Sequence, residues 1–192
     1  MSILSRSTIR KRLMMPIKDP SSLVITPLNE KAIDPDSIDL RLGSHFLFPR
    51  VPAQAAIDIR KKSSQSDISV HVPNGDQLIL AAHQTVLGVT LEFLKMPYDV
   101  SGQILTKSSI ARTFMVIETA PWVHPNYRGC LTLEIANVSN SALTLHPGMA
   151  IGQLILMQIE DPEPLDSLAG TYIGPIRPEA PLNLKRHTHE TV

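Results

Sequence analysis

Apolar and polar residues alternate with period two along much of the chain, and this restricts the fold more than any other feature. Ile38, Leu40 and Leu42 are interleaved with Asp39, Arg41 and Gly43. Ile57 and Ile59 flank Asp58, and Ile68, Val70 and Val72 enclose Ser69 and His71. Leu131, Leu133 and Ile135 alternate with Thr132, Glu134 and Ala136. Successive strand side chains point to opposite faces, so the pattern predicts antiparallel strands with one buried face. The breaks carry turn chemistry: Pro73-Asn74-Gly75-Asp76, Pro125-Asn126 and Pro147-Gly148. Aromatic residues are only 4% of the chain, beside 16 prolines, so the core is expected to be Ile, Leu, Val and Met. Many short strands broken by turns predict a mainly β fold, a barrel or sandwich of jelly-roll type. The 192 residues suffice for one domain with a tail.

One short helix is expected at the N-terminus. Ser5 or Ser7 can cap it, Ile9 and Leu13 stand at i and i+4, and Pro16 limits it. The same segment lacks the continuous apolar stretch of a secretory signal. No apolar run reaches the length of a membrane span, so the expected location is the cytoplasm, with no membrane partner. Composition changes after Glu160, through Asp161-Pro162-Glu163-Pro164. Residues 1–160 are therefore the expected domain and 161–192 a C-terminal tail outside the core.

Composition removes several chemistries. Eighteen basic residues balance eighteen acidic ones, which argues against a general nucleic-acid binder. The single cysteine, Cys130, excludes an intramolecular disulfide and the Pro-Cys-x-x-Cys pair of the zinc nucleobase deaminases. There is no P-loop and no Gly-x-Gly-x-x-Gly turn. The 7 histidines form no His-Glu-x-x-His set, so no protein metal site is expected.

Three segments could carry chemistry, each with a plainer reading. Thr106-Lys107-Ser108-Ser109-Ile110-Ala111-Arg112 gathers two cations and two hydroxyls after an apolar run, a donor set suited to phosphate. The plainer reading is a polar turn opening a short helix, with Ser108 or Ser109 as its cap. Glu134 shares a strand face with Thr132 and Ala136. On a solvent face it is an ordinary exposed residue; in a pocket it is a carboxylate of raised basicity, able to activate water. In the loop Glu118 to Gly129, Trp122 and Tyr127 flank His124. Packing over a core edge accounts for them at least as well as stacking on a base.

Taken together, these segments resemble the dCTP deaminase branch of the trimeric dUTPase-like superfamily. Ser37-Ile38-Asp39-Leu40-Arg41-Leu42-Gly43 resembles its Asp-x-Arg-Leu-Gly strand, and Leu87 to Glu92 with Met96-Pro97 the segment before its signature. Lys107 to Arg112 resembles the signature Arg/Lys-Ser-Ser-x-Ala/Gly-Arg. Gly129 to Glu134 resembles the Gly-x-x-x-Leu-Glu strand, and Pro147 to Leu154 the last core strand. The resemblance runs from about Ser5 to Glu160. It implies a distorted jelly roll, a dUTPase-like β-barrel with a short N-terminal helix. It also implies a homotrimer with sites at subunit interfaces.

The implied activity is zinc-independent deamination of dCTP to dUTP and ammonia, in the supply of deoxynucleotide precursors. Magnesium would accompany the triphosphate, with no metal held by the protein itself, and dTTP is a candidate inhibitor. Glu134, Ser108 and Arg112 fall on catalytic positions. Lys107 and Ser109 fall in the phosphate-binding part of the signature, with Ile110 and Ala111 beside them. Thr132 and Leu133 fall on base-contacting backbone, and Ala120, His124, Gln153 and Tyr172 on other nucleotide-binding positions. The tail, 161–192, would be a mobile lid over the triphosphate.

The sequence departs from the family pattern at His124, where Asp is usual. It departs again at Pro121, where bifunctional members have Gly, and in the tail around Tyr172. The differences at His124 and Pro121 favour dUTP as the product. Two alternatives stand beside it: a bifunctional deaminase and diphosphatase giving dUMP, and a non-catalytic nucleotide-binding module on the same fold.

Overall fold

The computed structural model describes residues 2–49, 67–117, 120–162 and 174–180. In chain order these form β1 (Ser2–Ile3), α1 (Arg6–Leu13), β2 (Val24–Thr26), a 3-10 turn (Glu30–Ala32), β3 (Ser37–Arg41), β4 (His45–Phe48), β5 (Ile68–His71) and β6 (Leu78–Leu80). There follow β7 (Thr85–Lys95), β8 (Val100–Thr106), α2 (Ser108–Ala111), β9 (Met115–Val116), β10 (Trp122–Val123), β11 (Arg128–Asn137), β12 (Leu143–Leu145) and β13 (Ala150–Gln158). The expected strand around Ile57 and Ile59 lies outside the described residues. No helix among the described residues is long and apolar enough to cross a membrane.

The mainly β expectation holds, but the strands do not close into a barrel. One sheet runs β1-β13-β8-β10, with β3 also on β13; a second runs β5-β4-β7-β11-β9, with β2 also on β7; β12 and β6 form a separate ladder. Their buried faces meet in a core of aliphatic side chains, including Ile9, Leu40, Leu42, Leu80, Leu94, Leu133, Ile151 and Leu154. Among the described residues Phe46 is the one aromatic of the largest fully buried side chains, in keeping with the low aromatic content. The alternation holds at Val70, which packs on the core, and at buried Val72, but fails at the start of β5, where Ile68 is 49% exposed. That strand is the edge of its sheet, and an edge position leaves its apolar residues only partly covered.

Two segments recognised separately in the sequence meet where the chain leaves the first sheet for the second. Arg41 donates from Nε to Glu92 Oε1 at 2.6 Å and from its backbone N–H to Oε2 at 2.9 Å. Leu42 bridges to Thr90, and Gly43 N–H donates to the Val89 carbonyl at 2.7 Å. A Cβ at Gly43 would stand 2.9 Å from that carbonyl oxygen, so the crossing requires glycine.

At the opposite end α1 is capped by Ser5, whose hydroxyl accepts from Thr8 N–H. The helix is held to the first sheet by Arg12. Its guanidinium donates to both oxygens of Asp99 and to Gln158. The expected turns are present, with Gly75 and Gly148 at positive φ and Asn126 at φ 58°.

Candidate active site

The alternation predicted for β11 is observed. Leu131, Leu133 and Ile135 are buried, whereas Thr132, Glu134 and Ala136 are partly exposed. The phase is set by a bulge between Cys130 and Thr132 in the pairing with β7. Leu131 N–H, displaced from the ladder there, donates to Thr90 Oγ1 at 2.9 Å. Beyond the bulge Glu134 pairs with Leu87 and projects from the half-exposed face. Its Oε2 accepts from the backbone N–H of Ala120 at 3.3 Å. Glu134 and Ala120 are thus brought together, with the buried side of β11 providing the rigid support.

Lys107 to Arg112 leave the end of β8. Lys107 N–H donates to the Ile151 carbonyl, and its ammonium donates to Asp39 Oδ2. Neither Ser108 nor Ser109 caps α2. Lys107 occupies the N-cap position with no side-chain capping bond, and the helix begins at Ser108. A lysine has no oxygen to offer the helix amides, and both serine hydroxyls remain exposed instead. Ala111 and Arg112 are exposed as well, and Ile110 is half-buried against the core. Gln153 lies in the same region, opposite Asp39 on β3 and Leu105 on β8. Asp39 therefore stands between two residues read from the sequence as nucleotide-binding. It was visible only as part of a strand motif, because its partner is 68 residues away in the chain.

After α2 the chain runs beside β11, with Phe114 bonded to Val138, Met115 opposite Asn137 and Val116 opposite Ala136. Phe114 is thus four strand positions from Glu134, whereas Thr106, just before α2, accepts from Ile117 N–H where the chain returns beside β11. Among the described residues no hydrogen bond or ion pair joins Glu134 to Ser108, Ser109 or Arg112.

His124 is exposed at the end of β10, and its carbonyl accepts from Tyr127 N–H. Trp122 is 43% exposed, whereas Tyr127 is half-buried and donates to the Cys130 carbonyl at 2.7 Å. Burial first, then the neighbouring Cys130 and Glu179, pushes the Tyr127 hydroxyl upward, so it remains a neutral donor. Tyr127 is a packed loop residue, as the plainer reading had it.

Part of the tail lies against the open edge of β11, which the alternation did not reveal. Gly174 N–H donates to the Arg128 carbonyl, Cys130 N–H to the Pro175 carbonyl, and Glu179 N–H to Thr132 Oγ1. Gly129, at φ 142°, allows Pro175 to sit directly on it. Tyr172 lies outside the described residues. No group of three or more His, Cys, Asp or Glu side chains suited to a metal occurs among the described residues. The cations and hydroxyls around α2 are donors suited to phosphate oxygens.

Comparison with known proteins bears directly on this arrangement. The family model described as dCTP deaminase-like matches residues 3–159. A dUMP-forming dCTP deaminase of Corynebacterium diphtheriae is 34% identical over 145 residues, 75% of this chain and 78% of that protein. A dUMP-forming dCTP deaminase of Dictyoglomus thermophilum is 34% identical over 164 residues, 83% of this chain and 82% of that protein. The crystal structure of 2′-deoxycytidine 5′-triphosphate deaminase from Agrobacterium tumefaciens shares the fold, with a TM-score of 0.60 and 22% identity. The match covers 80% of this chain, which spans about half (47%) of that one.

Proposed function

Because the chain belongs to the dCTP deaminase-like family, we propose that it deaminates dCTP and carries the product on to dUMP. The observation that carries the first step is Glu134 on the half-exposed face of β11, its carboxylate fixed by the Ala120 amide. Glu134 takes a proton from water as the water oxygen bonds to C4 of the cytosine. It passes that proton to ring N3, then carries the remaining hydroxyl proton to the departing amine as the C4–amine bond breaks, leaving a carbonyl at C4 and releasing ammonia. Arg112 and Ser108 would orient the water and stabilise the charge that develops on the ring.

Lys107 and Ser109 would meet the triphosphate, with Gln153 nearby. Thr132 and Leu133 would offer backbone groups to the base, flanked by Ile110 and Ala111. Magnesium would enter with the nucleotide and neutralise phosphate charge. A site completed across an interface, as in a homotrimer, would bring Ser108 and Arg112 to Glu134, to which no hydrogen bond or ion pair joins them among the described residues. The tail, with Tyr172, would close over the phosphates, and dTTP would compete for the same site.

The second step, water attack releasing pyrophosphate, replaces the reading in which dUTP is the product. Its support is the naming of the relatives as dUMP-forming. His124 would stand in for the usual carboxylate, since a neutral imidazole can also take a proton from water. The dUTP reading keeps one observation in its favour, the coincidence of His124 and Pro121 in the same loop.

The test is a time course with dCTP and magnesium, resolving dCTP, dUTP, dUMP and pyrophosphate, beside the Glu134→Gln and His124→Ala proteins. Equal dUMP and pyrophosphate from the wild-type chain support the two-step reading, with dUTP accumulating for His124→Ala. Accumulating dUTP from the wild-type chain would limit the activity to deamination. Binding of dCTP with no product would leave a nucleotide-binding module.

A further inference from the structure

Among the described residues, the three least exposed ion pairs that join separate elements differ in how fully their carboxylates are used. Both oxygens of Asp99 accept from Arg12, and Gln158 donates to Oδ2 as well. Both oxygens of Glu92 accept from Arg41. Asp39 accepts Lys107 on Oδ2 alone, and its Oδ1 is buried with no partner. A buried carboxylate oxygen without a donor is costly and calls for an explanation. The Arg12 and Arg41 pairs brace the fold and are closed; the Lys107 pair is left open.

The surroundings of the open pair are those of the nucleotide site. Asp39 is in register with Gln153, and Lys107 is fixed through its backbone to Ile151 two residues earlier on the same strand. The lysine side chain is 28% exposed and the aspartate 16%. An ammonium has three N–H donors, and Asp39 takes one, leaving the others for an oxygen arriving from solvent.

We propose that Asp39 is a positioning residue that holds the Lys107 ammonium where the phosphates of the substrate bind. The inference rests on the reading of Lys107 as a phosphate ligand given above. A lysine head on its flexible stem samples many positions unless something holds it, and ordering it before binding raises affinity. Asp39 also acts in the opposite sense, because its carboxylate repels phosphate. The two effects have opposite signs. If charge alone mattered, removing the carboxylate would tighten nucleotide binding; if position matters, removal weakens it.

The experiment measures kcat and KM for dCTP in the full-length protein with magnesium. It compares wild type, Asp39→Asn, Asp39→Glu, Lys107→Ala and the Asp39→Asn/Lys107→Ala double variant. Melting temperatures are recorded with and without dCTP. The expected result for Asp39→Asn is a KM about three- to tenfold higher, with kcat within about twofold. Asp39→Glu, which keeps the charge, should recover most of the loss. In the Lys107→Ala background Asp39→Asn should change KM no further, since no ammonium remains to be held.

A KM that is unchanged or lower in Asp39→Asn overturns the inference while leaving Lys107 as a ligand, provided Lys107→Ala itself raises KM. An unaltered KM in Lys107→Ala removes Lys107 from the nucleotide site, and the inference with it. Should Asp39→Asn fold poorly, the same comparison is read from Asp39→Ser with and without Lys107→Ala. A dCTP-induced rise in melting temperature that is smaller for Asp39→Ser than for wild type, and equal for Lys107→Ala and its Asp39→Ser double variant, supports the inference. Equal rises for Asp39→Ser and wild type overturn it.

Discussion

Glu134→Gln keeps the shape of the side chain and the Ala120 contact but cannot take a proton. A fall in kcat of about a thousandfold is expected, with dCTP binding retained. Single-turnover assay beside equilibrium binding checks it, and near-normal turnover would remove Glu134 from the chemistry. His45 offers a different kind of test. It lies opposite His71 across β4 and β5, with ring centroids 4.7 Å apart. Burial, then Arg177 and His71, holds its imidazole below the usual histidine range. The unfolded chain therefore binds the proton more readily, and stability rises with pH through the region below about 6.5. The melting temperature should fall as pH is lowered from about 7 to 5, and His45→Gln should flatten that slope. An equal slope in the variant would assign the pH dependence to other groups.

At the scale of elements, α1 depends on one guanidinium. Arg12→Met leaves Asp99 buried without its main partner, and a loss of about 3 kcal/mol in unfolding free energy is expected. Denaturant titration measures it; a change below about 1 kcal/mol would mean that Gln158 or water satisfies the carboxylate. β11 was legible in the sequence because one face is packed and the other is not, which is what alternation reports. β5 is the strand its alternation predicts, but alternation carries no information about which strand is an edge, and the exposure of Ile68 follows from that position. The site was legible in part for a related reason. Spacing assigns Glu134 to a face, but the Lys107–Asp39 pair is made by sheet register and the Ala120–Glu134 bond by the path of a loop. Neither is encoded locally. Serine after an apolar strand suggested a helix cap, yet the helix starts one residue too early for Ser108 to serve, and its hydroxyl stays exposed.

At the scale of the whole molecule, the exposed Phe114 and Val138 lie side by side where the chain passes from α2 to β9. An apolar patch beside polar signature residues suits a subunit interface. If each site takes Glu134 from one subunit and Arg112 from another, two inactive proteins should complement each other. Mixed and reassembled in equal amounts, Glu134→Gln and Arg112→Ala chains should regain about a quarter of the wild-type sites. No recovery after verified subunit exchange would place both residues of a working site in the same chain.

The tail segment on β11 has a consequence for colloidal behaviour. By occupying the N–H of Cys130 and the carbonyl of Arg128, residues 174–175 leave no free template there for a strand from another molecule. A chain ending at residue 162 would bare that edge, with the adjacent glycine offering no side chain to obstruct docking. Such a protein should scatter light increasingly with concentration, and the added mass should disperse when a peptide matching residues 174–180 is supplied. The few residues that follow the last core strand would then act as a built-in chaperone for solubility, whatever else they do.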